Sequence, residues 1–268
     1  MQKQLLPFYH HLIIIIFTFF TLQIAAEPLK EQLFTEPKDQ QILPLKNICS
    51  RSPWANIVWI HVHDDEETAR EVALQTLSHL QQGCLLDLQH GGSRDIYVQN
   101  ADISYHFDPN RIFTQQGRQE AIKCDDGDCR LAMPELTQAV EQLISQYLQY
   151  AQLIVAVHNN HAHGLSILHY ANGSAGANDT LQTAINPQQN PHNFFLVTSR
   201  QAYEFLSKRG FNVILQDNDR VQDDGSLSVW AAHKKIDYIN IEAERGHNDN
   251  QVEMLHAVWA YMQTYYLK

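Results

Sequence analysis

The sequence predicts an α/β fold in which a mixed, mostly parallel central sheet is flanked by helices. Short runs of β-branched and aliphatic residues alternate along the chain with longer segments of helical periodicity, a pattern typical of parallel strands joined by helices. Hydrophobic residues make up 44% of the 268 residues, which indicates a globular chain with a sizeable core. The formal net charge of −11 disfavours nucleic acid as a partner, because nucleic-acid binding usually requires a basic face.

The first 26 residues have the features of a secretory signal peptide. Lys3 precedes a 13-residue apolar run from Leu12 to Ile24, and the small residues Ala25 and Ala26 follow it. A membrane-spanning helix needs about 20 such residues, and an uncleaved anchor is the alternative. We therefore expect cleavage after Ala26, export to the periplasm or the exterior, and no stable membrane span in the mature chain.

All four cysteines lie after this segment, and export makes disulfides possible. Cys124 and Cys129 enclose a short loop that contains Gly127, which suits a local bridge and leaves Cys49 to pair with Cys84. A zinc site with four cysteine ligands is the alternative, but the sequence lacks the two CxxC pairs that are typical of such sites. The sequence therefore predicts two disulfides.

The amino-terminal half of the mature chain begins with a lead-in and continues with strands around one helix. Residues 27–55 are polar with scattered prolines, which is typical of an extended lead-in. The β-branched run 57–62 predicts a buried strand, and 66–82 places small and aliphatic residues on one helical stripe. Residues 84–88 predict the next strand, and residues 94–107 predict a strand, a turn and a second strand.

The carboxy-terminal half continues the alternation. Pro134 is typical of a first helical turn and opens a helix that is predicted to end near Tyr150. A buried strand follows at 153–157, another strand is expected at 164–170, and 171–193 is predicted to be a loop because Asn, Gly, Gln and Pro dominate it. The remaining predicted elements are a helix at 201–208, strands at 212–215 and 238–242, and a closing helix at 252–266.

Side chains that bind metals follow two of the predicted strands. His63 and Glu66 come after the strand at 57–62, and His158 comes directly after the strand at 153–157. Because functional groups of such folds gather at the carboxyl ends of parallel strands, we expect these three side chains to meet. Two histidines and one glutamate leave a fourth position for water, which is the arrangement of a catalytic zinc ion.

Carboxylates at the end of the strand at 238–242 supply a proton acceptor. Glu242 or Glu244, lying outside the ligand set, would accept the proton of a zinc-bound water. Glu242 and Glu244 are two residues apart in a strand and therefore point to the same face, so the pattern does not show which of them is the base. Each motif taken alone is common in proteins, and the prediction depends on their joint placement after three strands.

Two stretches carry arginines suited to an anionic substrate. Asn110 and Arg111 combine a directed donor with a planar guanidinium fork, which together would hold a terminal carboxylate. Arg94 follows Gly91 and Gly92, which let the backbone approach closely, and its cation would stabilise an oxyanion.

In their order along the chain, these residues resemble the zinc carboxypeptidases of the carboxypeptidase A type. H-x-x-E, an Arg, D-x-N-R, a single His and a strand-end Glu succeed one another between about residues 57 and 245. The resemblance implies an α/β/α fold that binds one zinc ion. It implies that His63, Glu66 and His158 are the zinc ligands and that Asp108 orients a zinc-bound histidine. It also implies that Arg94 stabilises the oxyanion, that Asn110 and Arg111 bind the substrate carboxylate, and that Glu242 is the general base.

Some features of that family are missing or unplaced. The predicted mature chain of 268 − 26 = 242 residues is short for a digestive-type carboxypeptidase. Tyr203 and Tyr238 are candidates for the tyrosine that often closes over the substrate. His161, His163 and His247 are further histidines near the site, with an exposed loop position as the alternative for each.

The sequence therefore predicts one exported catalytic domain over residues 27–268, a zinc hydrolase that cleaves an amide bond next to a free carboxylate. The substrate would be a peptide or an acylated amino acid, and export favours a cell-wall peptide. The alternatives are an N-acyl amino acid deacylase of the same fold and a non-catalytic relative that binds metal or peptide.

Overall fold

The computed structural model describes residues 29–33, 42–99, 103–171 and 173–267, and the predicted signal peptide lies outside them. No helix in these ranges combines the length and the hydropathy that crossing a bilayer requires. The strands in chain order are β1 (Lys30–Leu33), β2 (Leu45–Cys49), β3 (Ile57–His61), β4 (Cys84–Leu88), β5 (Ile96–Gln99), β6 (Ser104–Phe107), β7 (Lys123–Asp126), β8 (Leu153–Asn160), β9 (Thr180–Ala184), β10 (Phe194–Val197), β11 (Val213–Gln216) and β12 (Asp237–Glu244). The α-helices are α1 (Glu67–Leu80), α2 (Gln115–Ala121), α3 (Ala132–Leu143), α4 (Arg200–Ser207), α5 (Leu227–Lys234) and α6 (Asn248–Tyr265).

The main sheet is mixed and has its strands in the order β1-β2-β4-β3-β8-β12-β10-β11-β9. Its central strands β4, β3, β8 and β12 are all parallel, and β10 and β11 form a further parallel pair. The other neighbouring pairs are antiparallel. The predicted fold class is confirmed, and the carboxyl ends of the four central strands lie along one edge of the sheet.

Helices cover both faces of this sheet because neighbouring residues of the central strands are buried on opposite sides. Trp59 packs in the core layer that contains α1, α4 and α6. Ile60, the next residue, packs in the layer that contains α3, α5 and the small sheet β5-β6-β7. Strands buried on both faces need apolar side chains throughout, which explains the continuous hydrophobic runs in the sequence.

Two segments that follow β8 differ from the prediction. The prediction of a strand at 164–170 is wrong, because Ile167–Tyr170 form a 3-10 helix. The backbone N–H of Ser166 donates to His169 Nδ1 over 3.0 Å, a local bond that competes with strand pairing. The loop predicted at 171–193 contains a second 3-10 helix and the edge strand β9, whose pairing with β11 is a long-range contact that periodicity does not reveal.

Other short elements were not predicted from the sequence. The lead-in at 27–55 contains β1 and β2, which extend the sheet because β2 pairs antiparallel with β4 and β1 pairs antiparallel with β2. The helices α2 and α5 and the strand β7 span at most eight residues each, too few for a clear period. The helix predicted from Pro134 begins at Ala132, and Ile144–Leu148 continue it as a π-helical turn.

Both predicted disulfides are present, as Cys49–Cys84 and Cys124–Cys129. Cys49 faces Cys84 directly across the antiparallel pair of β2 and β4. The second bridge closes the short turn between β7 and the start of α3. The first bridge therefore links two neighbouring strands of the main sheet, and the second fixes a turn beside the small sheet β5-β6-β7.

Removal of the two disulfides is expected to have unequal effects. The bridges span sequence separations of 35 and 5 residues. In the loop-entropy description, replacing both cysteines by serine lowers the free energy of unfolding by about 4 kcal/mol for Cys49–Cys84 and about 2 kcal/mol for Cys124–Cys129. Urea unfolding of the two double variants under oxidising conditions measures the difference. Equal losses would show that loop closure is not the main contribution.

Candidate metal centre

The turn between β3 and α1 carries the first two predicted ligands. The backbone N–H of Glu66 donates to the carbonyl of His63 over 3.0 Å, which closes the turn and brings the two side chains to one side. His158 lies in β8, the parallel neighbour of β3, two residues beyond the paired positions Ile60 and Ala156. The strand order therefore places all three predicted ligands at the same carboxyl edge.

Their ligand atoms converge. His63 Nδ1 lies 2.9 Å from Glu66 Oε1 and 3.2 Å from His158 Nδ1, and His158 Nδ1 lies 2.9 Å from Glu66 Oε2. Two ligand atoms on one tetrahedral zinc ion stand about 3.4 Å apart, so these separations fit a shared cation. The three buried residues form a group that could hold a metal ion.

Neighbouring groups fix the Glu66 carboxylate. The backbone N–H of Asn159 donates to Glu66 Oε2 over 3.0 Å, and Asn159 Oδ1 accepts from the N–H of Ala69 in the first turn of α1 over 2.7 Å. Burial acts to raise the pKa of Glu66, but His158 and His63 outweigh it and lower the pKa well below its ordinary value. The carboxylate is thus held in its charged form.

Asp108 lies behind His63. Its Oδ1 is 2.9 Å from His63 Nε2, and a proton on Nε2 leaves Nδ1 with the lone pair that a metal needs. Burial acts to lower the pKa of His63, but the hydrogen bonds and charges of Asp108 and Glu66 raise it to about 9. Asp108 therefore lies within hydrogen-bonding distance of a predicted metal ligand. His158 Nε2 is buried without a hydrogen-bond partner among the described residues.

Arg94 reaches the site from the loop after β4. Its two terminal nitrogens lie 3.2 Å from Glu66 Oε1 and 3.1 Å from Asp108 Oδ2, while its side chain is 50% exposed. Asp64 anchors the loop, because its Oδ2 accepts from the backbone N–H groups of His90 and Gly92 over 2.7 Å each. The arginine is thus held beside the ligand set with part of its fork open to solvent.

The predicted carboxylate clamp follows β6 in a short 3-10 helix. Asn110 Oδ1 accepts from the backbone N–H of Leu227 over 3.2 Å, which leaves the Nδ2 group as the available donor. Arg111 pairs with Asp224 over 3.3 Å, and both side chains are nearly half exposed. Gly225 is required beside this pair, since a Cβ there would lie 2.1 Å from the Arg111 carbonyl oxygen.

Glu242 lies on β12, paired in register with His158 of β8. Its Oε1 accepts from Asn240 Nδ2 over 3.1 Å, and its Oε2 is 3.5 Å from Asn160 Nδ2. Burial raises the pKa of Glu242, with His158 opposing and Glu66 adding to the increase. Glu244 differs, because its Oε2 accepts from Asn190 Nδ2 over 2.6 Å and it does not line the cavity.

One cavity of about 580 Å³ joins these groups. The predicted site residues that line it are His63, Glu66, Arg94, Asn110, Arg111, His158 and Glu242. His161 and Tyr238 also line it, whereas His163, Tyr203 and His247 do not.

The sequence did not reveal several cavity residues. Asn160 follows His158 at the end of β8, and strand alternation was a signal that could have identified it. Tyr170 lies in the segment wrongly predicted as a strand, and burial raises the pKa of its hydroxyl to about 12. Asp224 and Arg245 come from loops, and only their tertiary contacts bring them to the cavity.

No protein-family profile matches the chain, and no curated protein is similar to it in sequence. Among solved structures, it is similar to succinylglutamate desuccinylase from Chromobacterium violaceum, at 16% identity and a TM-score of 0.46, over 80% of this chain and 66% of that one. It is similar to the murein-tripeptide amidase of Escherichia coli O157 at 16% identity and a TM-score of 0.43, over 82% and 86%. It is similar to a candidate carboxypeptidase A from Shewanella denitrificans at 12% identity and a TM-score of 0.48, over 89% and 65%.

Proposed function

We propose that the protein is a zinc-dependent hydrolase that cleaves an amide bond next to a free carboxylate, in a peptide or an acylated amino acid. The observation that carries this proposal is the cavity itself. It holds a three-residue ligand set, a buried carboxylate outside that set, and an arginine suited to an anionic substrate end. Zinc bound by His63, Glu66 and His158 would supply a Lewis acid for the carbonyl and a water of lowered pKa.

Glu242 acts as the general base in this proposal. Its Oε2 has the longer hydrogen bond, 3.5 Å to Asn160, and is therefore the oxygen free to accept the proton of the attacking water. Its raised pKa favours holding that proton until the leaving nitrogen takes it. Asn240 keeps the carboxylate oriented through Oε1.

Arg94 stabilises negative charge on the carbonyl oxygen. A guanidinium has five donor hydrogens, and the contacts to Glu66 and Asp108 occupy only part of the fork. A fixed cation beside a developing oxyanion lowers the barrier without reorganisation during the reaction.

Arg111 and Asn110 bind the substrate carboxylate, and Arg111→Lys tests this. Lysine keeps the charge but loses the fork, so we expect kcat/KM for a peptide with a free carboxyl terminus to fall about 10- to 100-fold. The same peptide with an amidated carboxyl terminus is the control, since it lacks the group that Arg111 binds. Steady-state kinetics on both peptides measure the effect, and equal losses on both would contradict the clamp.

Export belongs to the same proposal. Two disulfides support an oxidising compartment. A periplasmic or secreted location would favour a cell-wall peptide as substrate.

Metal analysis combined with a substrate panel tests the function. The purified protein should contain zinc and hydrolyse either short peptides or N-acyl amino acids, and the ratio of the two kcat/KM values separates a carboxypeptidase-type enzyme from a deacylase. Bound zinc without turnover of either class would favour a non-catalytic binding protein. Absence of stoichiometric zinc would contradict the proposal as a whole.

A further inference from the structure

A second group of buried polar side chains lies behind the metal centre. His61 ends β3, and Asp87 is its paired residue in the neighbouring parallel strand β4. Both residues are 0% exposed, and neither belongs to the residues that line the cavity. His61 Nδ1 is 2.9 Å from Asp87 Oδ1, and His61 Nε2 is 3.1 Å from the carbonyl oxygen of Glu66. A chain of contacts therefore runs from Asp87 to the backbone of a predicted metal ligand.

Asp87 is itself held in place. Its Oδ2 accepts from Arg70 Nε and from Gln89 Nε2, each over 2.7 Å. Burial acts to raise the pKa of Asp87, but the hydrogen bonds and charges of His61 and Arg70 outweigh it and lower the pKa. Asp87 therefore accepts hydrogen bonds as a carboxylate, and both ring nitrogens of His61 face acceptors. The group connects β3, β4 and α1.

The carbonyl of Glu66 marks the point where the ligand turn becomes a helix. Glu66 precedes α1 with φ −97° and ψ 58°, outside the helical region, and no side chain caps the helix. The first helical bond, from Arg70 N to the Glu66 carbonyl oxygen, is long at 3.4 Å. His61 supplies the shorter contact to the same oxygen, so the position of the Glu66 backbone depends on it.

A purely structural explanation accounts poorly for this group. Burying charged and polar side chains costs desolvation free energy, and apolar side chains of similar volume would often fill such a space with equal or greater stability. The rest of the β3 strand is apolar, as expected for a strand covered on both faces. The polar residues His61 and Asp87 therefore occur where the strands contact the turn that carries His63 and Glu66.

We propose that His61 and Asp87 are positioning residues of the metal centre. Asp87 orients the His61 ring, and His61 holds the Glu66 backbone so that the carboxylate stands between His63 and His158. The inference rests on the proposed metal-binding function of those three residues. It predicts that the affinity of the site for zinc depends on two side chains that touch neither metal nor substrate.

Two substitutions of one residue separate positioning from packing. The amide nitrogen of Gln reaches as far from the backbone as Nε2 of His, whereas that of Asn reaches only as far as Nδ1. His61→Gln therefore keeps a donor for the Glu66 carbonyl, and His61→Asn keeps only the contact with Asp87. We expect His61→Asn to weaken zinc binding about 10- to 100-fold, as for the loss of other groups that orient ligands, and His61→Gln to stay close to the wild-type protein.

The measurement is the zinc dissociation constant of the metal-free protein, obtained by competition with a chromophoric chelator, together with the melting temperature without metal. Asn212→Ala is the matched control, because Asn212 is 1% exposed and donates to the carbonyls of Asn190 and Asn193, away from the ligand turn. It should lower the melting temperature and leave zinc affinity unchanged.

The outcomes are distinguishable. A wild-type protein without a zinc site would contradict the proposed function. Stoichiometric zinc with the same dissociation constant in wild type and His61→Asn would overturn the positioning role alone, and so would equal losses in His61→Asn and His61→Gln. If His61→Asn does not fold, Asp87→Asn replaces it. We expect Asp87→Asn to weaken zinc about tenfold, and an unchanged affinity there overturns the inference.

Discussion

Glu242→Gln is expected to lower kcat about 10²- to 10⁴-fold, the usual contribution of a general base, while zinc stays bound at full stoichiometry. Gln has the shape of Glu, and its single carbonyl oxygen can still accept from Asn240 Nδ2, but its amide group does not take up a proton. Glu242 is 7% exposed and lies outside the ligand set, so its loss should leave metal affinity unchanged. Parallel measurement of kcat and of zinc content distinguishes a lost base from a lost metal.

Glu244→Gln is the matched control for this substitution. Both glutamates lie on β12 and alternate with Ala243, but Glu244 Oε2 is bound to Asn190 and Glu244 does not line the cavity. Glu244→Gln should therefore keep nearly the full kcat. The opposite result, with activity lost in Glu244→Gln and kept in Glu242→Gln, would mean that the base is assigned to the wrong residue.

The convergence of the ligand set could be predicted because it depends on a general property of parallel sheets. Groups that follow strands meet at the carboxyl edge whenever the strands are neighbours. The adjacency of β3 and β8 is not encoded in local periodicity, since four other strands and the helices α1, α2 and α3 separate them in the chain. The positions of His63, Glu66 and His158 after two strands therefore indicate that their side chains are close only if β3 and β8 are neighbours in the sheet.

The choice between Glu242 and Glu244 illustrates what periodicity leaves open. Residues two apart in a strand share a face, so alternation treats them alike. The difference between their surroundings comes from Asn190, in the segment between β9 and β10, and from Asn160 at the end of β8. Contacts of this kind are long-range, and a single sequence contains no local signal for them.

His61 was overlooked for a related reason. It is the last residue of a β-branched run and is part of a strand, so the sequence pattern alone does not indicate a functional role for it. Its contact with Asp87 appears only when β3 and β4 pair in register. Loop residues such as Asp224 were hidden in the same way, because a turn-forming sequence does not indicate which cavity the turn borders.

Loss of one metal ligand is expected to have the largest effect on the protein. A bound structural zinc ion typically contributes 10–16 kcal/mol, so one ligand of the set is worth roughly 3 kcal/mol, or more than about a hundredfold in the dissociation constant. His63→Ala and His158→Ala should therefore both lose stoichiometric zinc at micromolar metal concentration. Catalysis that depends on the metal should disappear with it.

The two variants should differ in what they leave behind. His63→Ala removes a side-chain partner of Asp108 Oδ1 as well as a predicted ligand and leaves that oxygen only the Asn110 N–H, whereas His158→Ala leaves the contact between His63 and Asp108 intact. We therefore expect His63→Ala to be the less stable of the two in thermal unfolding of the metal-free protein, because it leaves the Asp108 carboxylate without that hydrogen bond.

His161→Ala is the control that tests the identity of the ligands. His161 lines the same cavity and follows His158 by three residues, but it is exposed and is absent from the group of converging ligand atoms. Zinc content by elemental analysis should stay at the wild-type value in this variant, and removal of zinc from the wild-type protein with a chelator should abolish hydrolysis reversibly. Full zinc occupancy in both His63→Ala and His158→Ala would mean that the metal binds elsewhere. Loss of zinc in His161→Ala would mean that His161 is a ligand and that the set of three is incomplete.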